Sequence, residues 1–144
     1  MAGQNNIAQY AKAIQAQLKS IVGAIPVYGG FNRNFADEKK FITWQLRNVH
    51  QEVYTGTNQN NKGIDRPTFQ ISIFTSAEPN ESASAAGFDI ANTIIQALHG
   101  YSGQFGGTSG FYVSKADVVM LYHGYDNTIN LFNIFLDCTL DIQA

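Results

Sequence analysis

Charge is scarce in this chain. Only 14% of its 144 residues are Asp, Glu, Lys or Arg, against about 25% in ordinary soluble domains. Asn and Gln take up much of the difference. Such a surface is easy to desolvate, which suits a subunit in lasting contact with neighbours; a merely polar monomer would have the same composition. Cysteine is nearly absent too. With Cys138 alone, an internal disulfide is excluded, and nothing marks an oxidising compartment. No run approaches the ~20 apolar residues that cross a bilayer. The opening MAGQNNIAQYAK has neither the basic nor the apolar region of a signal peptide. A soluble protein made in a cytosol is expected, so the Asn80-Glu81-Ser82 triplet is not read as a glycosylation site.

What is present is enough for a core. The 44% of hydrophobic residues suits one domain spanning residues 1–144, and a domain of this size buries roughly 70% of its unfolded surface. The net charge of −2 argues against a general nucleic-acid binder, which needs a basic face to release counterions. The distribution is uneven: the chain through Arg66 carries +4 and the remainder −6. This division marks either complementary surfaces between copies or a chance split over one sheet.

The rest of the chain is organised around residues 66–100. Phe69, Ile71 and Ile73 alternate with Thr68, Gln70 and Ser72 over 68–75, the period of a half-buried strand, although Phe74 interrupts the polar side. Ala86, Ile90, Ile94 and Leu98 then recur every fourth residue, with Ala83, Ala91 and Ala97 widening the stripe. This predicts a helix lying close to a sheet, with Asn80 as N-cap, Glu81 in the first turn and Gly100 as its stop.

Before this unit, Ile7, Tyr10, Ala11, Ile14, Leu18, Ile21 and Val22 predict a first helix, capped by Asn5 or Asn6 and ended by Gly23. Ile25-Pro26-Val27-Tyr28 reads as extended, and 32–40 as loop. Over 41–54 the apolar alternation changes phase near Arg47-Asn48, predicting a long strand with a β-bulge that pairs antiparallel with the strand from Arg66. Residues 55–65 have almost nothing to bury and predict an exposed hairpin loop. After the second helix, five glycines within 100–110 predict a flexible loop. Residues 111–114 and 118–122 read as strand with a bulge or turn at 115–117. A tight turn at Asp126-Asn127 leads into a last strand over 128–142, where Phe132, Ile134, Leu136, Cys138, Leu140 and Ile142 share one face. The expected fold is α+β: an antiparallel sheet with two helices on one face, in the order α-β-β-β-α-β-β.

No catalytic constellation is visible. The glycines follow a helix and lead into a strand, without the Lys of a phosphate loop. His50, His99 and His123 belong to three elements and lack metal-ligand spacing. Asp137 and Asp141 flank Thr139 and could serve as acid and base, but a solvated face or a subunit contact explains them with less. Ser102 and Ser109 complete no nucleophile elbow. Aromatics are abundant, yet no Lys or Arg follows Lys115, as a single-strand binder would need. Tyr54, Tyr101, Phe105 and Tyr125, placed near loops, suit contact with another protein.

The order of these elements resembles a family. The first helix, Ile25-Pro26-Val27-Tyr28, the long strand before a polar loop and Phe69-Gln70-Ile71-Ser72-Ile73 form its first part. Residues 90–100, IANTIIQALHG, and the closing hairpin around Tyr125-Asp126-Asn127 complete it. From about Ile7 to Ile142 the chain resembles the tail-completion and tail-terminator proteins of long-tailed bacteriophages, including the tail-to-head joining type. The resemblance implies a non-enzymatic virion protein, without cofactor or metal, assembled in the host cytoplasm. It implies a homo-oligomeric ring, usually a hexamer, at the head-proximal end of the tail tube, with the tube protein and the head connector as partners. The loops at 55–65 and 101–110 would reach those partners. Candidate interface residues are Tyr54, Asn58, Asn60, Lys62, Asp65, Arg66, Tyr101, Phe105, Tyr125, Asp137 and Asp141. The alternatives are another neck, head-closure or minor tail subunit, or a small host ligand-binding α+β domain.

Overall fold

A computed structural model describes residues 7–30, 38–52, 64–77, 82–108 and 110–143. Helix α1 (Ile7–Val22) and helix α2 (Ala83–Leu98) both pack on one face of a five-stranded sheet. Its strands, in chain order, are β1 (Val27–Gly29), β2 (Lys40–Glu52), β3 (Ile64–Thr75), β6 (Lys115–Asp126) and β7 (Leu131–Gln143). In space they run β1-β2-β3-β7-β6. Two short strands, β4 (Gly103–Phe105) and β5 (Phe111–Val113), form a separate ribbon. The expected α+β architecture is present. Two details differ: the sheet is mixed, because β1 lies parallel to β2, and the ribbon adds strands to the order.

Each element follows from its residues. Tyr10, Ala13, Ile14 and Leu18 bury one stripe of α1, and Gly23 at φ 65 turns the chain out of it; the Asn5 or Asn6 cap lies outside the described residues. In α2, Ile90, Ala91, Ile94 and Leu98 face the sheet. Its N-cap is Ser82, whose hydroxyl accepts from Ala85 N–H at 3.1 Å. Asn80 and Glu81, expected there, lie outside the described residues, and Ser82 caps equally well with the same chemistry. The stop is as expected: His99 is the C-cap and Gly100 follows at φ 79. Gly87 sets how near α2 can lie. A Cβ there would stand 2.9 Å from Phe132 and 3.1 Å from Ile134 on β7.

The phase change in the long strand is a β-bulge. The β2–β3 register shifts between Leu46 and Asn48, leaving Arg47 as the extra residue. Phe69, Ile71 and Ile73 of β3 face α1 and α2 together with Ile134, Leu136, Cys138, Leu140 and Ile142 of β7. Trp44 belongs to this layer, edge-on to Phe69, and its indole N–H donates to Gln15 of α1. On the opposite face Phe74 stacks on Phe41, ring centroids 4.8 Å apart, which is why that face is not wholly polar.

Two expectations fail locally. Ser114, rather than 115–117, interrupts the chain between β5 and β6, and Lys115 already lies in β6. The irregularity in β6 falls between Met120 and Tyr122. The last hairpin uses four turn residues instead of a tight two: Thr128 N–H donates to Asp126 Oδ1, and Asn130 takes a left-handed φ of 57 before β7 begins at Leu131. Asn tolerates that conformation better than most residues.

Candidate assembly surface

The residues first singled out for contact scatter over the molecule. Tyr54, Asn58, Asn60 and Lys62 lie outside the described residues, with nearly all of the 55–65 loop. Asp65 is not a loop residue. It sits in β3 on the core-facing side, is 4% exposed, and accepts a hydrogen bond from the Tyr10 phenol. The strand alternation that buries Phe69 and Ile71 carries Asp65 inward too, and burial of a carboxylate is tolerable only with such a donor. It is therefore unavailable at the surface of the subunit.

Phe105 is likewise buried, at 0% exposure. The glycine-rich run is not a free loop: it folds as the β4–β5 ribbon, stacking Phe105 on Phe111 with ring centroids 5.9 Å apart. Gly106, at φ 84, lies so near α1 that a Cβ would come within 2.5 Å of Ala13, and its N–H donates to Gln17 Oε1. Glycine is needed there for close approach as much as for its φ. Tyr101 is half-buried above Phe105 and donates to Gln104 O.

Arg66, Asp137 and Asp141 lie on the helix-free face, where they pair within the subunit. Arg47 Nη1 meets Asp137 Oδ2 at 2.7 Å, and Arg66 Nε meets Asp141 Oδ1 at 3.1 Å. Thr68 and Thr139 share a hydrogen bond of 3.1 Å beside them. The basic first part of the chain and its acidic remainder thus meet inside one sheet, across β2, β3 and β7. Of the two readings of the charge division, the split over one sheet accounts for these four residues.

Nothing among the described residues assembles catalytic chemistry. No three of His, Cys, Asp and Glu there come together to hold a metal. An open cleft of about 170 Å³ between α1 and α2 is lined by Ile21, Val22, Ile25, Asp89, Ile90 and Thr93, with one carboxylate and no base beside it. His99 Nδ1 accepts from Val118 N–H at 3.1 Å and lies 3.4 Å from Asp117, fastening the end of α2 to β6. Cys138 is fully buried; desolvation, then the charges of Asp117 and Asp137, push its thiol up to about 12. A thiol so placed is inert as a nucleophile.

The prominent surface feature is β6. Of the eight large apolar side chains exposed among the described residues, five belong to this strand: Val119, Met120, Leu121, Tyr122 and Tyr125, all between 44% and 53% exposed. Phe88 of α2, packed edge-on to His123 and Phe132, extends the patch. β6 ends the sheet. Edge strands are normally blunted by charge or proline, and here Val119–Tyr122 carry neither. Tyr125 is the one earlier candidate that falls in the patch. The signal for the rest was the unbroken run Val118-Val119-Met120-Leu121-Tyr122. An apolar run without alternation means both faces of the strand lose water, and only its place at the sheet's end shows that the other described residues do not cover them.

No family model matches the chain, and no curated protein matches it. Solved structures share its fold. One, a protein with no descriptive name, superposes with a TM-score of 0.61 at 12% identity over 95% of this chain and 92% of its own. A component of the virion of a native gene transfer agent particle matches with a TM-score of 0.56 at 17% identity, over 94% of each chain. The sheath/tube terminator of an extracellular contractile injection system matches with a TM-score of 0.50 at 9% identity; it covers 97% of this chain and 57% of the terminator. In fold, therefore, this chain is similar to proteins built into virion and tail-like particles.

Proposed function

We propose that this protein is a structural component of a phage-type virion, where copies form a ring on the head-proximal end of the tail tube. The ring ends tube polymerisation and presents the surface to which the head connector joins. Its role is mechanical and needs no chemical step, cofactor or metal. The observation that carries this reading is the apolar edge at β6 that the described residues leave uncovered, on a charge-poor subunit, in a fold shared with a sheath/tube terminator. An exposed apolar strip of this kind marks a protein contact. The remaining candidates on the surface, Arg66, Tyr101, Tyr125, Asp137 and Asp141, and Tyr54, Asn58, Asn60 and Lys62 of the neighbouring segment, are proposed to lie at or near contacts with the ring neighbour, the tube or the connector.

Electron microscopy of the protein mixed with tail tubes of its own particle tests the assignment. Density at one tube end, with tubes that stop elongating when the protein is added, is the expected result. Binding along the tube wall, or to the connector in the absence of tubes, would instead favour a minor tail or neck subunit. No association with either would overturn the proposal.

A further inference from the structure

The outer edge of β6 is only half used. In an antiparallel pair, alternate residues turn their backbone N–H and C=O away from the partner strand. Ala116 and Val118 do so here, and this chain itself takes up their outward groups. Gly100 N–H donates to Ala116 O at 2.8 Å, Ala116 N–H donates to Tyr101 O at 3.0 Å, and Val118 N–H donates to His99 Nδ1 at 3.1 Å. The alternation brings Met120 outward next. Past the register shift between Met120 and Tyr122 it resumes at His123 and Tyr125, opposite Ile134 and Phe132. No described residue bonds outward to these three. Residues 99–101 thus begin a sixth-strand position that stops at Val118.

We infer that β6 takes, along Met120–Asp126, an extended segment of a partner protein whose apolar residues alternate and whose ends carry Lys or Arg. The inference rests on the reading of β6 as an assembly contact and names what that contact admits. Geometry selects a strand. Exposed apolar side chains lie on both faces of β6: Met120 and Tyr125 on the helix side, Val119 and Tyr122 on the helix-free side, with Tyr122 against Phe135 at 5.5 Å between ring centroids. A helix laid on one face would leave the other wet and the open backbone groups unpaired. A strand in the plane of the sheet pairs those groups and sends alternate side chains over both faces. Charge selects its ends. Asp117 and Asp126 bracket the open stretch, and the last cation in the chain, Lys115, lies at the far start of β6 opposite Asp141. Neither carboxylate is neutralised by the contact it makes. His99 Nδ1 lies 3.4 Å from Asp117, but that nitrogen accepts from Val118 N–H, so it carries no proton and the ring no positive charge. Asp126 accepts from Thr128 N–H at 2.9 Å, a neutral donor. The same two charges disfavour the β6 of a second copy. Two-fold pairing centred on this stretch would set Asp126 of each copy diagonal to Asp117 of the other, like against like.

Amide hydrogen exchange of the unsubstituted subunit, read by NMR at a dilution where light scattering gives the monomer mass, tests the inference. The probe is a short synthetic peptide of alternating Val and Thr with Lys at both ends. Exchange at Met120, His123 and Tyr125 should slow about tenfold as the peptide saturates. Val118, held by His99, and Val119 and Tyr122, turned toward β7, should change little. The same peptide with Glu at its ends should give no protection. Asp117→Asn combined with Asp126→Asn should weaken binding of the Lys peptide severalfold while the thermal melt stays in place, since an amide oxygen still accepts from Thr128. Equal protection by the two peptides would overturn the basic-ended partner. No protection by either would overturn strand addition, and protection that grows with protein concentration alone would replace the partner by a second copy. Capping of tail tubes is read separately in electron micrographs. It can fail with the edge still binding the peptide, and the edge can refuse the peptide with capping intact.

Discussion

Two buried groups show how individual residues are held. Asp65 is a carboxylate inside the apolar layer, kept there by the Tyr10 phenol. Tyr10→Phe removes that donor while keeping the ring, which also packs edge-on to Phe111. Leaving a buried acceptor without its donor costs about 1–3 kcal/mol, and a drop in Tm measured by circular dichroism should show it. Cys138 offers a second check. With its thiol pushed up to about 12 against an ordinary value of 9.0, the thiolate fraction at pH 8 falls roughly a thousandfold. Alkylation by iodoacetamide should be negligible in the folded protein and ordinary once urea unfolds it. The sign for stability follows. Between these two values the unfolded thiol has lost its proton and the folded one keeps it, so stability falls as pH rises above about 9. A melt that moves upward over that range would contradict the burial of Cys138.

Among elements, the seat of α2 on β7 is a tight joint. Gly87 lets Phe132 and Ile134 approach to a distance that no side chain allows. In an isolated helix, replacing glycine by a better helix former gains up to about 1 kcal/mol. Here Gly87→Val should lose stability by about 1–3 kcal/mol, because the added carbons overpack the joint. Urea titration measures the sign directly, and a stabilised variant would mean that α2 can ride further from the sheet. The same element shows what sequence patterns resolve. The four-residue repeat from Ala86 to Leu98 places the helix, and the phase change at Arg47 places the bulge in β2, because each records water on one side of an element and none on the other. The glycine run misleads for a related reason. Its residues have no period, so their packing against Ala13 and Gln17 of α1, with Phe105 turned inward, depends on an element some ninety residues away in the chain.

At the scale of the molecule, the question is what covers β6. Leu121 is 52% exposed beside Val119, Met120 and Tyr122, so Leu121→Glu removes no described core contact and should change stability by less than about 0.5 kcal/mol. The same carboxylate would be costly in a desolvated contact. The variant should keep its Tm yet fail to cap tubes in electron micrographs, and should stay at the lower mass by light scattering wherever the parent associates. A Leu121→Glu variant that still caps tubes would place the contact elsewhere. The ion pairs Arg47–Asp137 and Arg66–Asp141 belong to a different account. They lie within the subunit and are partly exposed, where such pairs contribute about 0–1 kcal/mol each, so they align β2, β3 and β7.

Composition and periodicity by themselves determined an α+β domain, two amphipathic helices, a bulged long strand, a buried Cys138 and the lack of any recognisable catalytic motif. All of these depend on short-range spacing or on residue counts. Strand order was a tertiary decision: which strand ends the sheet, that β1 runs parallel to β2, that Asp65 and Phe105 turn inward, and that Arg47 and Arg66 of the basic part meet Asp137 and Asp141 of the acidic part on β7. Local alternation tells a strand which of its faces is dry, but only the neighbours brought together by the fold tell it which edge is left open.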